Sequence, residues 1–103
     1  MITKNEFRDM VLDAAYELTG VHYLKKDGAM MVDAITMAIE KVLVDGDCVD
    51  LRGLGRFKVV TIPERTIKAL DGKSYTVPEH KAPRFAPAAK LKRNVAQGIM
   101  RDE

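Results

Sequence analysis

Apolar residues recur at three- and four-residue steps through Phe7, Met10, Val11, Ala14 and Leu18, with Arg8, Asp9, Asp13 and Glu17 outside that stripe. This spacing predicts an amphipathic helix. Thr3 and Glu6 open it, because the Thr3 hydroxyl accepts from the backbone three residues on and Glu6 reaches back to it. Gly20 supplies the stop. After the link Val21-His22-Tyr23-Leu24, a second helix begins at Lys25-Lys26-Asp27, with Asp27 placed as its cap. Its apolar positions, Met30, Met31, Ala34, Ile35, Ala38, Ile39, Val42 and Leu43, cover more than half of the circumference. That face is too broad for one small neighbour, so it predicts a helix covered once by its own chain and once by a second copy. Gly46 ends the helix, and Asp45-Gly46-Asp47 turns the chain into a short strand from Cys48 to Leu51.

The pattern then changes. A glycine-rich turn, Arg52-Gly53-Leu54-Gly55, leads into Arg56-Phe57-Lys58-Val59-Val60-Thr61-Ile62, and a second β-branched and aromatic run returns through Ser74-Tyr75-Thr76-Val77. Joined at Asp71-Gly72, the two runs predict one long hairpin with a tight two-residue turn. The distal half, from Pro63 to about Pro78, has too few large apolar residues to bury against a core. A ribbon of two strands has no interior strand, so both prolines are tolerated there. Such an arm projects into solvent and is marginally stable unless something grips it. Ala82-Pro83-Arg84-Phe85-Ala86-Pro87 cannot be a continuous helix and returns the chain to the body. A short third helix follows from about Ala88, with Leu91, Val95 and Ile99 on one side and Lys90, Lys92, Arg93 and Arg101 mostly on the other.

Composition sharpens this picture in two respects. The net charge of +2 hides an asymmetry: residues 1–50 hold five Lys and Arg against ten Asp and Glu, and residues 51–103 hold twelve against five. A basic half on an acidic body suggests a polyanion met by one face. A single cysteine, Cys48, permits no internal disulfide and no thiolate metal site. With no apolar signal core at the start and no run of membrane-spanning length, a cytosolic setting is expected, with neither a membrane partner nor a small-molecule substrate. His22 and His80 lack a third ligand at metal spacing, and Asp45, Asp47 and Asp50 lack the rest of a calcium loop. Without a nucleophile-and-base arrangement or a phosphate loop, no enzyme, cofactor or metal is expected.

Two helices, a short strand, a glycine turn, a long basic hairpin and a closing helix resemble the HU and integration host factor family of small DNA-bending proteins. The resemblance is carried by Lys25-Lys26-Asp27 through Val32-Asp33-Ala34 to Gly46, and by Val49-Asp50-Leu51-Arg52-Gly53-Leu54-Gly55-Arg56-Phe57. It continues in Val77-Pro78-Glu79-His80-Lys81-Ala82-Pro83-Arg84-Phe85 and in Pro87 to Lys92. It implies an α+β fold: an intertwined homodimer with a helical body and a β-sheet extended into a long two-stranded arm per subunit. One domain over 1–103 is expected, with a helical dimerisation region at 1–47, a sheet at 48–86 whose arm spans about 60–81, and a C-terminal helix at 87–103. The dimer core would be Met31, Ile35, Ala38, Ile39, Val42, Leu43, Phe57 and Phe85.

The implied function is architectural: double-stranded DNA bound and bent with little sequence preference, in the nucleoid or the equivalent DNA compartment of a virus. Two arms would follow the minor groove while the body holds phosphates. The candidate contacts are Lys4, Arg56, Lys58, Arg65, Lys68, Lys73, Lys81, Arg84, Lys90, Lys92 and Arg93. The chain departs from the family at the arm tip, where Lys68-Ala69-Leu70-Asp71-Gly72 stands against Asn-Pro-x-Thr-Gly and the wedging proline becomes Ala69. Leu70 is then either a substitute wedge or only a turn residue. Positions basic in the family fall on Val60, Ile62, Glu64 and Ile67, and the first helix with its link is about six residues longer, roughly one turn plus a short insertion. These departures keep a second function open, a dimeric module whose arm grips protein through Ile62, Ile67, Leu70 and Tyr75.

Overall fold

A computed structural model of the chain describes residues 1–101. They fall into two compact units, Met1–Lys41 and Val42–Glu103, the second described as far as Arg101. In the first unit, helix α1 (Lys4–Thr19) starts as its sequence requires. The Thr3 hydroxyl accepts from the Glu6 N–H at 3.2 Å and donates to the Glu6 carboxylate at 3.0 Å. Gly20 closes α1 in the left-handed conformation (φ 74°), its N–H donating to the Tyr16 carbonyl. Just beyond, the rings of His22 and Tyr16 stack with centroids 4.1 Å apart.

Helix α2 (Lys25–Val44) begins earlier than expected, with Leu24 rather than Asp27, three residues on, at the cap position. Asp27 lies inside the first turn, and its carboxylate accepts from the Leu24 N–H at 3.1 Å. Leu24 has no side-chain acceptor of its own, so only the backward half of a capping box forms. The α1–α2 contact centres on Gly28, where an added Cβ would stand 2.8 Å from Leu12 Cγ. One turn on, Val32 is the only buried hydrophobic side chain among the described residues, at 7% exposure.

The second unit opens with a three-stranded antiparallel sheet in the order β1 (Val49–Leu51), β2 (Gly55–Ile62), β5 (His80–Pro87). Gly53 (φ 86°) makes the β1–β2 turn, closed by the Leu54 N–H on the Leu51 carbonyl at 2.9 Å. Gly55 (φ 151°) is buried under Phe85, and a Cβ there would collide with the Ala86 carbonyl oxygen and lie 2.9 Å from the Phe85 ring. Both glycines are therefore dictated by geometry. Pro83 pairs with Val59 on β5, an edge strand of this sheet, where a missing donor is tolerated.

The predicted hairpin is broken rather than continuous. After the Ile62–His80 pair the ladder stops, and it resumes as a separate ribbon of β3 (Arg65–Lys68) and β4 (Ser74–Val77). Pro63 and Pro78 face the gap from opposite strands, each removing a backbone donor. The tip also differs from the two-residue turn expected. Gly72 N–H donates to the Ala69 carbonyl at 3.1 Å, and Ala69 N–H donates to the Lys73 carbonyl at 2.9 Å. Gly72 is at φ 83°, and no described non-glycine residue has a positive φ. Because a type I′ turn would need positive φ at Asp71 as well, the chain adopts instead a turn centred on Leu70-Asp71, followed by a glycine bulge.

Helix α3 (Ala89–Gln97) starts close to its predicted place but ends earlier. Gly98 (φ 67°) donates to the Asn94 and Val95 carbonyls, and Ile99 N–H returns to Asn94 at 3.1 Å. This glycine stop leaves Ile99 and Arg101 outside the helix, so Ile99 does not extend the stripe of Leu91 and Val95. The last two positions of the predicted 87–103 helix lie outside the described residues.

Candidate nucleic-acid interface

The β2–β5 register sorts the cations of the sheet. Residues directly opposite one another share a face, and faces alternate along a strand. Phe57 and Phe85 meet on one face, centroids 4.8 Å apart, with Val59, Pro83, Thr61 and Lys81 following them outward. The opposite face carries Arg56, Lys58 and Arg84, with Lys58 directly across from Arg84. Lys81 is thus separated from the other three.

Exposed like charges placed directly opposite each other destabilise an antiparallel pair. Lys58 and Arg84 are both exposed, and an anion lying over that face converts their repulsion into two attractions. Arg56 is partly answered already, since Asp50, its β1 partner in register, lies 3.6 Å away. That exposed pair is worth little in water, so Arg56 keeps most of its capacity for a phosphate.

On the distal ribbon, Arg65, Ile67, Tyr75 and Val77 share one face, and Thr66, Lys68, Ser74 and Thr76 the other. Charge alone does not single out the three hydroxyls; the period-2 alternation of the strands does. At the tip, Asp71 accepts from the Lys73 N–H at 2.9 Å, and the Tyr75 hydroxyl approaches its second oxygen at 3.4 Å. Leu70 is fully exposed, whereas Ala69 is half-buried with its N–H and carbonyl both engaged.

Helix α3 is tied to the glycine turn by the Ala88 N–H, which donates to the Leu54 carbonyl at 2.9 Å. Its first turn contains no acidic residue and its cap position, Ala88, offers no side-chain acceptor. Lys90 is half-buried, with its ammonium 4.0 Å from where a Cβ on Gly53 would stand. Lys92 and Arg93 are exposed. Cations at a helix N-terminus oppose the macrodipole, and here they add to a positive region that favours an anion. In the other unit, Lys4 is 2.6 Å from Asp33, both largely exposed.

Of the expected dimer residues, Met31, Ile39, Val42, Leu43 and Phe57 are half-buried, and Ile35, Ala38 and Phe85 are exposed. Met30 and Met37 are also exposed on α2. Among the described residues no group of three or more His, Cys, Asp or Glu is placed to hold a metal ion, and no helix is long and apolar enough to cross a membrane.

A helix pair, a three-stranded sheet, a two-stranded cationic ribbon and a basic closing helix make an α+β protein. The profile of the family "Bacterial DNA-binding protein" matches residues 2–96, and the chain belongs to that family. DNA-binding protein HU of Helicobacter pylori (strain ATCC 700392 / 26695) is 30% identical over 98 residues, covering 94% of this chain and 99% of that protein. DNA-binding protein HU of Thermus thermophilus is 35% identical over 95 residues, covering 91% and 92% respectively. Among solved structures, the Anabaena HU–DNA cocrystal structure superposes with a TM-score of 0.80 at 23% identity, over 91% of this chain and 97% of that one. The HU fold is thereby established.

Proposed function

We propose that the chain is an architectural DNA-binding protein that acts as a homodimer, grips double-stranded DNA along the minor groove with its arms, and bends it with little sequence preference. The observation that carries this reading is the exposed Lys58–Arg84 pair, two like charges set opposite each other at the base of a ribbon that continues through Arg65, Lys68 and Lys73. Like charges directly opposite each other destabilise the strand pair, and an anion over that face relieves them. The names of its relatives and the DNA in the Anabaena cocrystal agree with it. Lys81, Lys90, Lys92, Arg93 and Lys4 supply further phosphate contacts. These groups bind phosphate and sugar; no catalytic role is assigned to them, and the setting is the DNA compartment of the cell or virus.

The apolar surface left open supports the dimer. With Val32 as the only buried hydrophobic side chain among the described residues, and Met30, Ile35 and Met37 exposed on one helix, a second copy is the natural cover. At the tip, Leu70 rather than Ala69 is the wedge, because Leu70 alone presents a free apolar side chain.

A titration against random-sequence duplex at several salt concentrations tests the proposal. Binding that weakens steeply with salt is expected, with a slope of about −0.9 per phosphate engaged. No shift at low salt, or a stable monomer by sedimentation, overturns it; the protein-gripping function would then take its place.

A further inference from the structure

The two ladders of the hairpin keep one register across the gap that separates them. Two residues intervene on each strand, Pro63-Glu64 and Pro78-Glu79, so no position is gained or lost between the Ile62–His80 pair and the Arg65–Val77 pair. Faces alternate residue by residue. Thr66, Lys68, Ser74 and Thr76 therefore continue the side of Lys58 and Arg84, while Arg65, Ile67, Tyr75 and Val77 continue the opposite side. With the Lys58–Arg84 side turned to a duplex, Ile67 and Tyr75, 43% and 53% exposed, look outward. No third strand joins the ribbon to cover them.

This outer strip has a direction. Arg65 stands at its base, and neither Glu79 in the gap nor any other carboxylate among the described residues forms an ion pair with it. Ile67 and Tyr75 are directly opposite each other at its middle. At the tip the exposed Asp71 carboxylate accepts from the Lys73 N–H at 2.9 Å and lies 3.4 Å from the Tyr75 hydroxyl. A strip that runs cation, apolar pair, anion is complementary to a copy of itself turned end for end. Arg65 of each then meets Asp71 of the other, with the two Ile67–Tyr75 pairs packed between them. Such a contact is twofold and isologous.

We propose that the outer face of the distal ribbon is a self-pairing surface, joining the arm of one dimer to the arm of another while the inner faces of both hold DNA. This rests on the DNA-binding reading above. The strip is four residues long, roughly 13 Å, and falls far short of the about 1,200 Å² that a stable interface buries. Free dimers therefore stay apart. On a long duplex neighbouring arms are held at high local concentration, and a contact too weak for free solution then links them. Apolar burial supplies the attraction, and the exposed ion pairs, weak in themselves, set the end-for-end orientation. Because each dimer carries two arms, the link passes from one dimer to the next.

The test measures affinity per dimer on two random-sequence duplexes, one that holds a single dimer and one that holds many. The parent is expected to bind the long duplex tighter per dimer by roughly threefold or more. Ile67→Thr with Tyr75→Thr, which keeps β-branched residues in the ribbon, should bring that ratio to one and leave affinity for the short duplex within about twofold of the parent. Arg65→Asp and Asp71→Arg should each lower the ratio, and the two combined in one chain should restore it, whatever each does to binding of the short duplex. A photo-crosslinking residue at position 75 should join two chains on the long duplex and none on the short one. A parent ratio of one, an unchanged ratio in the Ile67/Tyr75 variant, no recovery in the charge-exchanged chain, or adducts from position 75 to DNA overturns the self-pairing while leaving DNA binding intact. Failure of the parent to bind even the short duplex would instead sink the reading on which the inference rests.

Discussion

The two halves of the hairpin are built from the same kinds of residue and held to different standards. The proximal ladder, β2 with β5, runs through eight residue pairs, is joined by β1, and is anchored by the Phe57–Phe85 contact over a buried Gly55. The distal ribbon has four pairs, no third strand, and only Val77 of its eight strand residues less than exposed. Buried apolar surface is concentrated in the proximal ladder, while the distal ribbon is almost wholly exposed. A segment with little buried apolar surface sits at the low end of the local stability range, so the distal ribbon gains most from a ligand that covers it.

The sharpest way to break this contrast is to place the same small change in both halves. Gly55→Ala adds a methyl that meets the Ala86 carbonyl and the Phe85 ring at a φ of 151°. Backbone strain and overpacking together predict a loss of about 3 kcal/mol, read as a lowered midpoint in urea. Gly72→Ala adds the same methyl where nothing lies within 4 Å, at φ 83°. It should cost about 1 kcal/mol locally and leave the global midpoint nearly unmoved. Equal losses at the two positions would show that the tip and the body melt as one unit.

A second contrast concerns binding. Replacing Arg65, Lys68 and Lys73 together by Ala should flatten the dependence of log affinity on log salt by about 0.9 for each phosphate no longer neutralised. The urea midpoint should not change, since all three side chains are exposed. Leu70→Ser is expected to preserve affinity within a few-fold and reduce the bend angle measured by fluorescence transfer across a labelled duplex. An unchanged angle would make Leu70 a turn residue and nothing more.

The difference between the halves also explains what the sequence disclosed. The start and stop of α1 and the end of α2 are legible because they depend on single residues with one structural use, Thr3 with Glu6, Gly20 and Gly46, whereas the start of α2 and the end of α3 are not. The glycine turn before β2 was legible for the same reason. The distal hairpin is less legible. Asp71-Gly72 admits more than one turn, and hydrogen bonds between Ala69, Gly72 and Lys73 select one that composition does not distinguish. A two-stranded ribbon tolerates Pro63 and Pro78, but that both fall in one gap and split the ladder depends on register. Register also pairs Lys58 with Arg84 and Asp50 with Arg56. Charge counting finds those residues and cannot say which of them repel and which are already partnered.

That last distinction yields the smallest effect and the most specific one. In the proximal sheet Arg56 has Asp50 at 3.6 Å, while Lys58 has only another cation opposite in register. Asp50→Asn removes the carboxylate and keeps the shape. An exposed pair contributes at most about 1 kcal/mol, so the urea midpoint should fall slightly or not at all. Duplex affinity should rise, by less than tenfold, because Arg56 no longer divides its interaction between a carboxylate and a phosphate and one negative charge leaves the face that carries Lys58 and Arg84. The rise should fade above about 0.5 M salt, where the Debye length falls to a few ångströms. If Asp50→Asn weakens binding at low salt, the carboxylate is positioning Arg56 rather than competing for it, and the Lys58–Arg84 face is better organised than the repulsion between those two residues implies.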